Sequence, residues 1–147
     1  MSHIERFAHV NYSCEQMFAL VNDIDGYPEF VPGCLASTLI SRTPTEIVAS
    51  LDVGKGPVRQ SFTTKNSLEN YSRIEMTLVQ GPFKSLHGVW TFTELTPTSC
   101  KIMLSINFEL SGMLKFAFGG VFSQIANTMV DSFSKRAKVV YGEQYES

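Results

Sequence analysis

Hydrophobic positions along this chain follow two periods in succession. From Cys34 to Leu110 they tend to alternate with polar ones. Ile47, Ala49, Leu51 and Val53 form one run, Ile74, Met76 and Leu78 another, and Trp90 and Phe92 share a face. Ile102, Leu104, Ile106, Phe108 and Leu110 make the cleanest alternation. Period two predicts strands with one buried face. Between the runs stand Gly54-Lys55-Gly56-Pro57, Glu69-Asn70, Gly81-Pro82 and Thr96-Pro97-Thr98, short turns that join antiparallel neighbours rather than crossovers. The period then changes. Leu114, Phe118, Phe122, Ile125, Met129, Phe133, Ala137 and Tyr141 recur at steps of four and three, the stripe of an amphipathic helix. A helix of about 28 residues runs roughly 42 Å, and no other helical segment is large enough to cover that stripe. It must lie on the sheet. Residues 112–142 are therefore expected to be mostly helical across the concave face of a curved antiparallel sheet, with a groove or cavity between them.

The first third of the chain supplies smaller elements. Residues 3–11 read as a weakly alternating first strand. Ser13 and Gln16 then form a capping-box signature. The helix that follows carries Met17, Phe18, Leu20, Val21 and Ile24 toward a core and is predicted to stop at Gly26. In Tyr27-Pro28-Glu29-Phe30-Val31-Pro32-Gly33-Cys34 two prolines stand four apart. They permit at most one short helical turn, so this is a rigid, aromatic-bearing link. Gly119-Gly120 interrupts the final helix, where each glycine costs about 1 kcal/mol relative to Ala. A kink, a break into two helices, or close approach to the sheet would each account for the pair. A kink or break would let the first turns act as a flap over the cavity mouth.

Composition narrows the picture. The 147 residues suit one domain over 1–147, enough to bury roughly two thirds of the unfolded surface. No apolar run is long enough to span a membrane, and Met1-Ser2-His3-Ile4-Glu5-Arg6 lacks the features of a secretory signal. A cytoplasmic location, at most peripheral to the inner membrane, is expected. Cys14, Cys34 and Cys100 are odd in number and widely separated, which argues against a disulfide framework or a structural zinc site. The net charge of −2 gives no basic surface for nucleic acid, and DNA is not an expected partner.

Catalytic signatures fail one by one. No nucleophile elbow, zinc-protease helix or phosphate-binding loop is present, since Gly54-Lys55-Gly56 runs into Pro57. His3, His9 and His87 have no ligand spacing. Asp23 and Asp25 at a helix end suit a solvated or capping role. Cys34 suits a buried structural thiol better than a reactive one. The chain calls for no cofactor and no catalytic residue. What remains is aromatic. Phe30, Phe83, Trp90, Phe92, Phe108, Phe118 and Phe122, with Met129, are candidates to line an apolar ligand site, against a reading in which they are packed core. Lys135, Arg136 and Lys138 cluster on the last helix. They read either as a solvated face or as contacts to an anionic partner such as RNA or a lipid head group.

Several ordered motifs carry a resemblance. They are the Tyr27–Cys34 link, Gly81-Pro82-Phe83-Lys84 with Leu86, Gly88-Val89-Trp90-Thr91-Phe92, Asn107-Phe108-Glu109, Met129-Val130-Asp131-Ser132-Phe133, Arg136-Ala137 and Tyr141-Gly142. From about residue 3 to 142 the chain resembles the coenzyme-Q-binding START-domain family of the SRPBCC superfamily, whose bacterial members are known as ribosome association toxins (RatA). The family commonly has Trp where this chain has Gly33. The resemblance implies an α+β helix-grip fold with two short helices after the first strand and a hydrophobic cavity. It implies two functions. One is non-enzymatic binding of a polyisoprenoid quinone or lipid in support of respiration, with transient membrane contact. The alternative is binding of the large ribosomal subunit, which blocks subunit association. Cyclases elsewhere in the superfamily need an acid/base pair that this sequence does not offer.

Overall fold

A computed structural model describes residues 2–143. Strand β1 (Ser2–Val10) is followed by α1 (Cys14–Val21), a single 3-10 turn (Ile24–Gly26) and α2 (Tyr27–Phe30). Six strands follow in hairpin succession: β2 (Cys34–Thr43), β3 (Glu46–Lys55), β4 (Val58–Glu69), β5 (Arg73–Gln80), β6 (Phe83–Thr96) and β7 (Ser99–Leu110). Two helices, α3 (Met113–Ala117) and α4 (Gly119–Tyr141), close the chain. The strands form one antiparallel sheet in the order β1-β7-β6-β5-β4-β3-β2. Register shifts interrupt β2–β3, β4–β5 and β6–β7, and such irregularities bend and twist the strands that carry them. The sheet is accordingly curved. Helix α4 packs against β1 at one edge, β7 beside it, and β3 near the other edge. The antiparallel sheet with a long helix laid across it is what the alternation predicts, and the whole is the α+β helix-grip arrangement that the resemblance implies.

The stripe on the last helix behaves as its spacing requires. Phe118, Phe122, Ile125, Phe133 and Ala137 are buried and Leu114, Met129 and Tyr141 half-buried. From the sheet, Ile102, Leu104, Ile106, Phe108 and Leu110 of β7 are all buried against it. Two boundaries differ from expectation. Helix α1 stops at Val21 rather than Gly26, because Asn22 caps it: both its backbone N–H and its side-chain Nδ2 donate to the Phe18 carbonyl, the latter at 3.0 Å. The capping box at its start is present, with Ser13 Oγ accepting from the Gln16 N–H and Gln16 Oε1 accepting from the Ser13 N–H. The final helix is broken at Phe118, whose φ of −121° ends α3 and begins α4. Crowding is not the reason for the glycines. A Cβ at Gly119 would meet only Leu110 at an ordinary 3.8 Å, and one at Gly120 would meet nothing. The pair weakens the helix just after the break instead of letting it approach the sheet.

Candidate functional site

An internal cavity of about 70 Å³ lies between the inner face of the sheet and α4. Its walls come from α4 (Phe122, Ile125, Ala126, Met129), from the link (Ile24, Tyr27), and from inward positions of five strands. Those positions are Ala49 and Leu51 on β3, Phe62, Thr64 and Asn66 on β4, Met76 on β5, Leu86, Gly88 and Trp90 on β6, and Ile106 on β7. None of these residues carries a charge. The Met76 methyl group reaches over Gly88 from the neighbouring strand, 2.6 Å from where a Cβ would stand.

Of the candidates, Trp90, Phe122 and Met129 lie on this cavity. Trp90 is 1 % exposed, stacked beside Phe92 at 6.2 Å between ring centroids and edge-on to Phe133 at 5.3 Å. The other aromatic candidates stand elsewhere. Phe92 lies behind Trp90 and packs on Phe18 of α1 at 5.5 Å. Phe30 packs on Phe133 at 5.1 Å, with the Arg136 guanidinium 5.0 Å over its ring. Phe83, Phe108 and Phe118 do not line the cavity. With Phe62 they surround Phe122, whose ring is 4.8 Å from Phe108, 4.9 Å from Phe83, 5.9 Å from Phe62 and 6.0 Å from Phe118. Phe122 and Phe62 belong both to this cluster and to the cavity wall, so the phenylalanines close the cavity on the side of the α3–α4 joint. Above them α3 buries no residue, and Met113 and Phe116 are almost fully exposed.

Polar groups on the cavity are few. The Tyr27 hydroxyl donates to the Val21 carbonyl, and burial, reinforced by Cys34 and Asp23, pushes the phenol far above its ordinary range. Thr64 Oγ1 donates to Asn66 Oδ1 at 2.9 Å. Sequence reasoning missed Thr64 and Asn66. They sit in a strand of Thr, Ser and Gln where alternation of apolar residues is absent, and only the inward position of Phe62 two residues earlier hinted at their direction.

The remaining candidates are peripheral to the cavity. Cys34 is buried, and burial with Asp52 nearby pushes its thiol up to about 11, so it stays protonated at neutral pH. Asp23 and Asp25 are exposed. His87 hydrogen-bonds Glu75 and His3 hydrogen-bonds Asn107, each at 2.8 Å and on exposed side chains. Each cation of the α4 cluster is in an ion pair: Lys135 with Asp131 at 3.0 Å, Arg136 with Glu29 at 2.8 Å, and Lys138 with Glu143 at 2.7 Å. Arg136 differs from the two lysines. Its side chain is mostly covered, and it ties α4 to α2 through both Glu29 and the Phe30 ring.

Over residues 10–134 the sequence matches the polyketide cyclase/dehydrase and lipid transport family. The chain belongs to this family. Its relatives within it differ in what they are named for. The ribosome association toxin RatA of Vibrio cholerae is 46% identical over 144 residues, covering 97% of this chain and 100% of the relative. The mitochondrial coenzyme Q-binding protein COQ10 homolog B of Xenopus laevis is 29% identical over 140 residues, covering 92% of this chain and 57% of the relative. Among solved structures, the ZhuI aromatase/cyclase from Streptomyces sp. R1128 superposes with a TM-score of 0.83 at 14% identity, over 97% of this chain and 99% of that one. That likeness establishes the shared fold.

Proposed function

We propose that this chain binds a neutral apolar molecule, a polyisoprenoid quinone or a lipid, in the cavity walled by Trp90 and α4, without transforming it, in a role supporting respiration. The observation that carries this reading is the uncharged cavity itself. No lining side chain is a carboxylate, imidazole, amine or guanidinium, so the walls offer no acid/base pair near neutral pH. Family members named for coenzyme Q binding support the quinone class. Sites for drug-sized ligands hold about 300–1,000 Å³, several times the 70 Å³ found here. Ligand entry therefore requires Phe122 and its neighbours to move aside, and the exposed Met113 and Phe116 of α3 offer a transient contact to a membrane surface at the same end. The protein would then work in the cytoplasm, peripheral to the inner membrane.

Two measurements test the reading. Organic extraction and mass spectrometry of the purified protein should recover a quinone or lipid. Titration with a soluble short-chain quinone should quench the fluorescence of Trp90, the one tryptophan of the chain. No copurifying lipid, together with fluorescence unchanged beyond inner-filter correction, overturns it.

A second reading is favoured by the whole-length identity to the Vibrio cholerae toxin: association with the large ribosomal subunit, which blocks joining of the subunits. Lys135 and Lys138 are the cations of α4 best exposed for pairing with phosphate. Each would exchange its present carboxylate for a phosphate. The double variant Lys135→Glu/Lys138→Glu is expected to cosediment less with large subunits. The magnitude of the slope of log affinity against log salt should fall by roughly 0.7–0.9 for each phosphate that is no longer neutralised. Unchanged cosedimentation across about 50–200 mM salt would exclude the two lysines from the interface. Arg136 is left intact in this test because its loss would loosen α2.

A further inference from the structure

Asn66 is 6 % exposed and stands on the inward row of β4 formed by Phe62, Thr64 and Asn66. Its cross-strand neighbours are Ile47 and Met76, so the amide is set among apolar side chains. Burying an amide is unfavourable unless its hydrogen bonds are made. One of them is made: Oδ1 accepts from Thr64 Oγ1. Nδ2, with two N–H groups, has no partner among the described residues. Asn22 provides the contrast. That residue is also 6 % exposed, and its Nδ2 donates to the Phe18 carbonyl at 3.0 Å. Asn22 spends its amide donor on the helix it caps, whereas the one hydrogen bond of Asn66 uses its oxygen and leaves Nδ2 without a partner on a residue that lines the cavity.

We propose that Asn66 is the polar contact of the cavity, donating from Nδ2 to a carbonyl oxygen on the bound molecule, so that the site selects a neutral, carbonyl-bearing apolar ligand. The inference rests on the cavity reading above and narrows it. An ionised fatty acid is disfavoured, because no cation lines the cavity to offset the cost of burying a carboxylate. A plain hydrocarbon leaves the amide donors unpaired. A ring carbonyl or ester carbonyl satisfies them while its apolar remainder meets Trp90, Phe122 and Met129. Thr64 acts as a positioning residue, since its hydroxyl holds the amide in place on β4.

The test compares duroquinone, whose ring carbons offer no open position for addition by the free thiols, with 1,2,4,5-tetramethylbenzene, which has similar size and no carbonyl. Dissociation constants come from ligand-observed NMR on wild type and Asn66→Leu. Loss of one hydrogen bond should weaken duroquinone about tenfold in the variant and leave tetramethylbenzene unchanged. The ligand-free variant should unfold close to the wild-type temperature, because the hydrogen bond lost from Thr64 Oγ1 is offset by removal of the partnerless Nδ2 donors and by the added apolar contact. A structural role for Asn66 predicts a lower one. In wild type, the Asn66 side-chain amide resonances should move on adding duroquinone and stay in place with tetramethylbenzene. If the variant does not fold, that shift alone decides. Equal duroquinone affinity in both proteins, or amide resonances that ignore the carbonyl, overturns the role of Asn66 and leaves the cavity reading standing. Wild type that binds neither probe removes the cavity reading and this inference with it.

Discussion

Trp90→Ala is expected to lower the free energy of unfolding by about 3–5 kcal/mol, the range for truncating a large buried aromatic. Domains of ordinary stability hold about 5–15 kcal/mol in total, so this one change consumes much of the margin. The reason is local. Trp90 is 1 % exposed and bridges Phe92 of its own strand and Phe133 of α4. Its removal opens a void that joins the existing cavity of about 70 Å³. The surrounding strand cannot collapse inward, because Trp90 is paired on both sides, with Ile74 of β5 and Leu104 of β7. Urea denaturation followed by circular dichroism measures the loss, and a change below about 1 kcal/mol would mean that the indole is not a packing element. Trp90→Phe separates packing from binding. It keeps an aromatic face and most of the volume, so the fold should survive while the affinity for a short-chain quinone falls.

The second large effect is expected at Gly33. Gly33→Trp should be destabilising in this chain. Gly33 has φ of +89°, and a Cβ built on it would lie 2.6 Å from Ile125 Cγ1 and 2.7 Å from Cδ1. The left-handed backbone costs a residue with a Cβ about 1–2 kcal/mol. Overpacking against Ile125 adds about 1–3 kcal/mol. Ile125→Ala should return the packing part of that cost and not the backbone part, which a double-mutant cycle reads as a coupling of about 1–3 kcal/mol between the two positions. Additive effects would show that Ile125 does not fill the space the new side chain needs. Because Ile125 also lines the cavity, a coupled pair would make the shape of the link a determinant of cavity size.

The alternation from Cys34 to Leu110 was enough to specify an antiparallel sheet, since period two leaves each strand one face to bury and the turns between are too short for any other connection. The four-and-three spacing from Leu114 to Tyr141 likewise specified a helix that must lie on that sheet. Even the break in it was legible near Gly119-Gly120, although it falls at Phe118, whose backbone leaves helical dihedrals one residue before the glycines while its N–H still reaches the Leu114 carbonyl. The end of α1 was not legible at Gly26. Asn22 stops the helix with a side-chain bond to Phe18 that competes locally with the next turn.

The site was legible only in part. Aromatic residues share an inward face whether they wall a cavity or fill a core, and pattern alone cannot tell space from contact. Tertiary packing made that decision: Trp90, Phe122 and Met129 front the cavity, Phe83, Phe108 and Phe118 pack around Phe122, and Phe30 goes to Arg136. The same holds for charge. Lys135, Arg136 and Lys138 read as one cluster in sequence, but their partners Asp131, Glu29 and Glu143 separate two surface pairs from one that pins α4 to α2. Asn66 lay furthest out of reach. A lone Asn in a polar strand says nothing until the sheet curls and encloses it, because burial, not residue type, is what makes an unpaired amide costly and therefore informative.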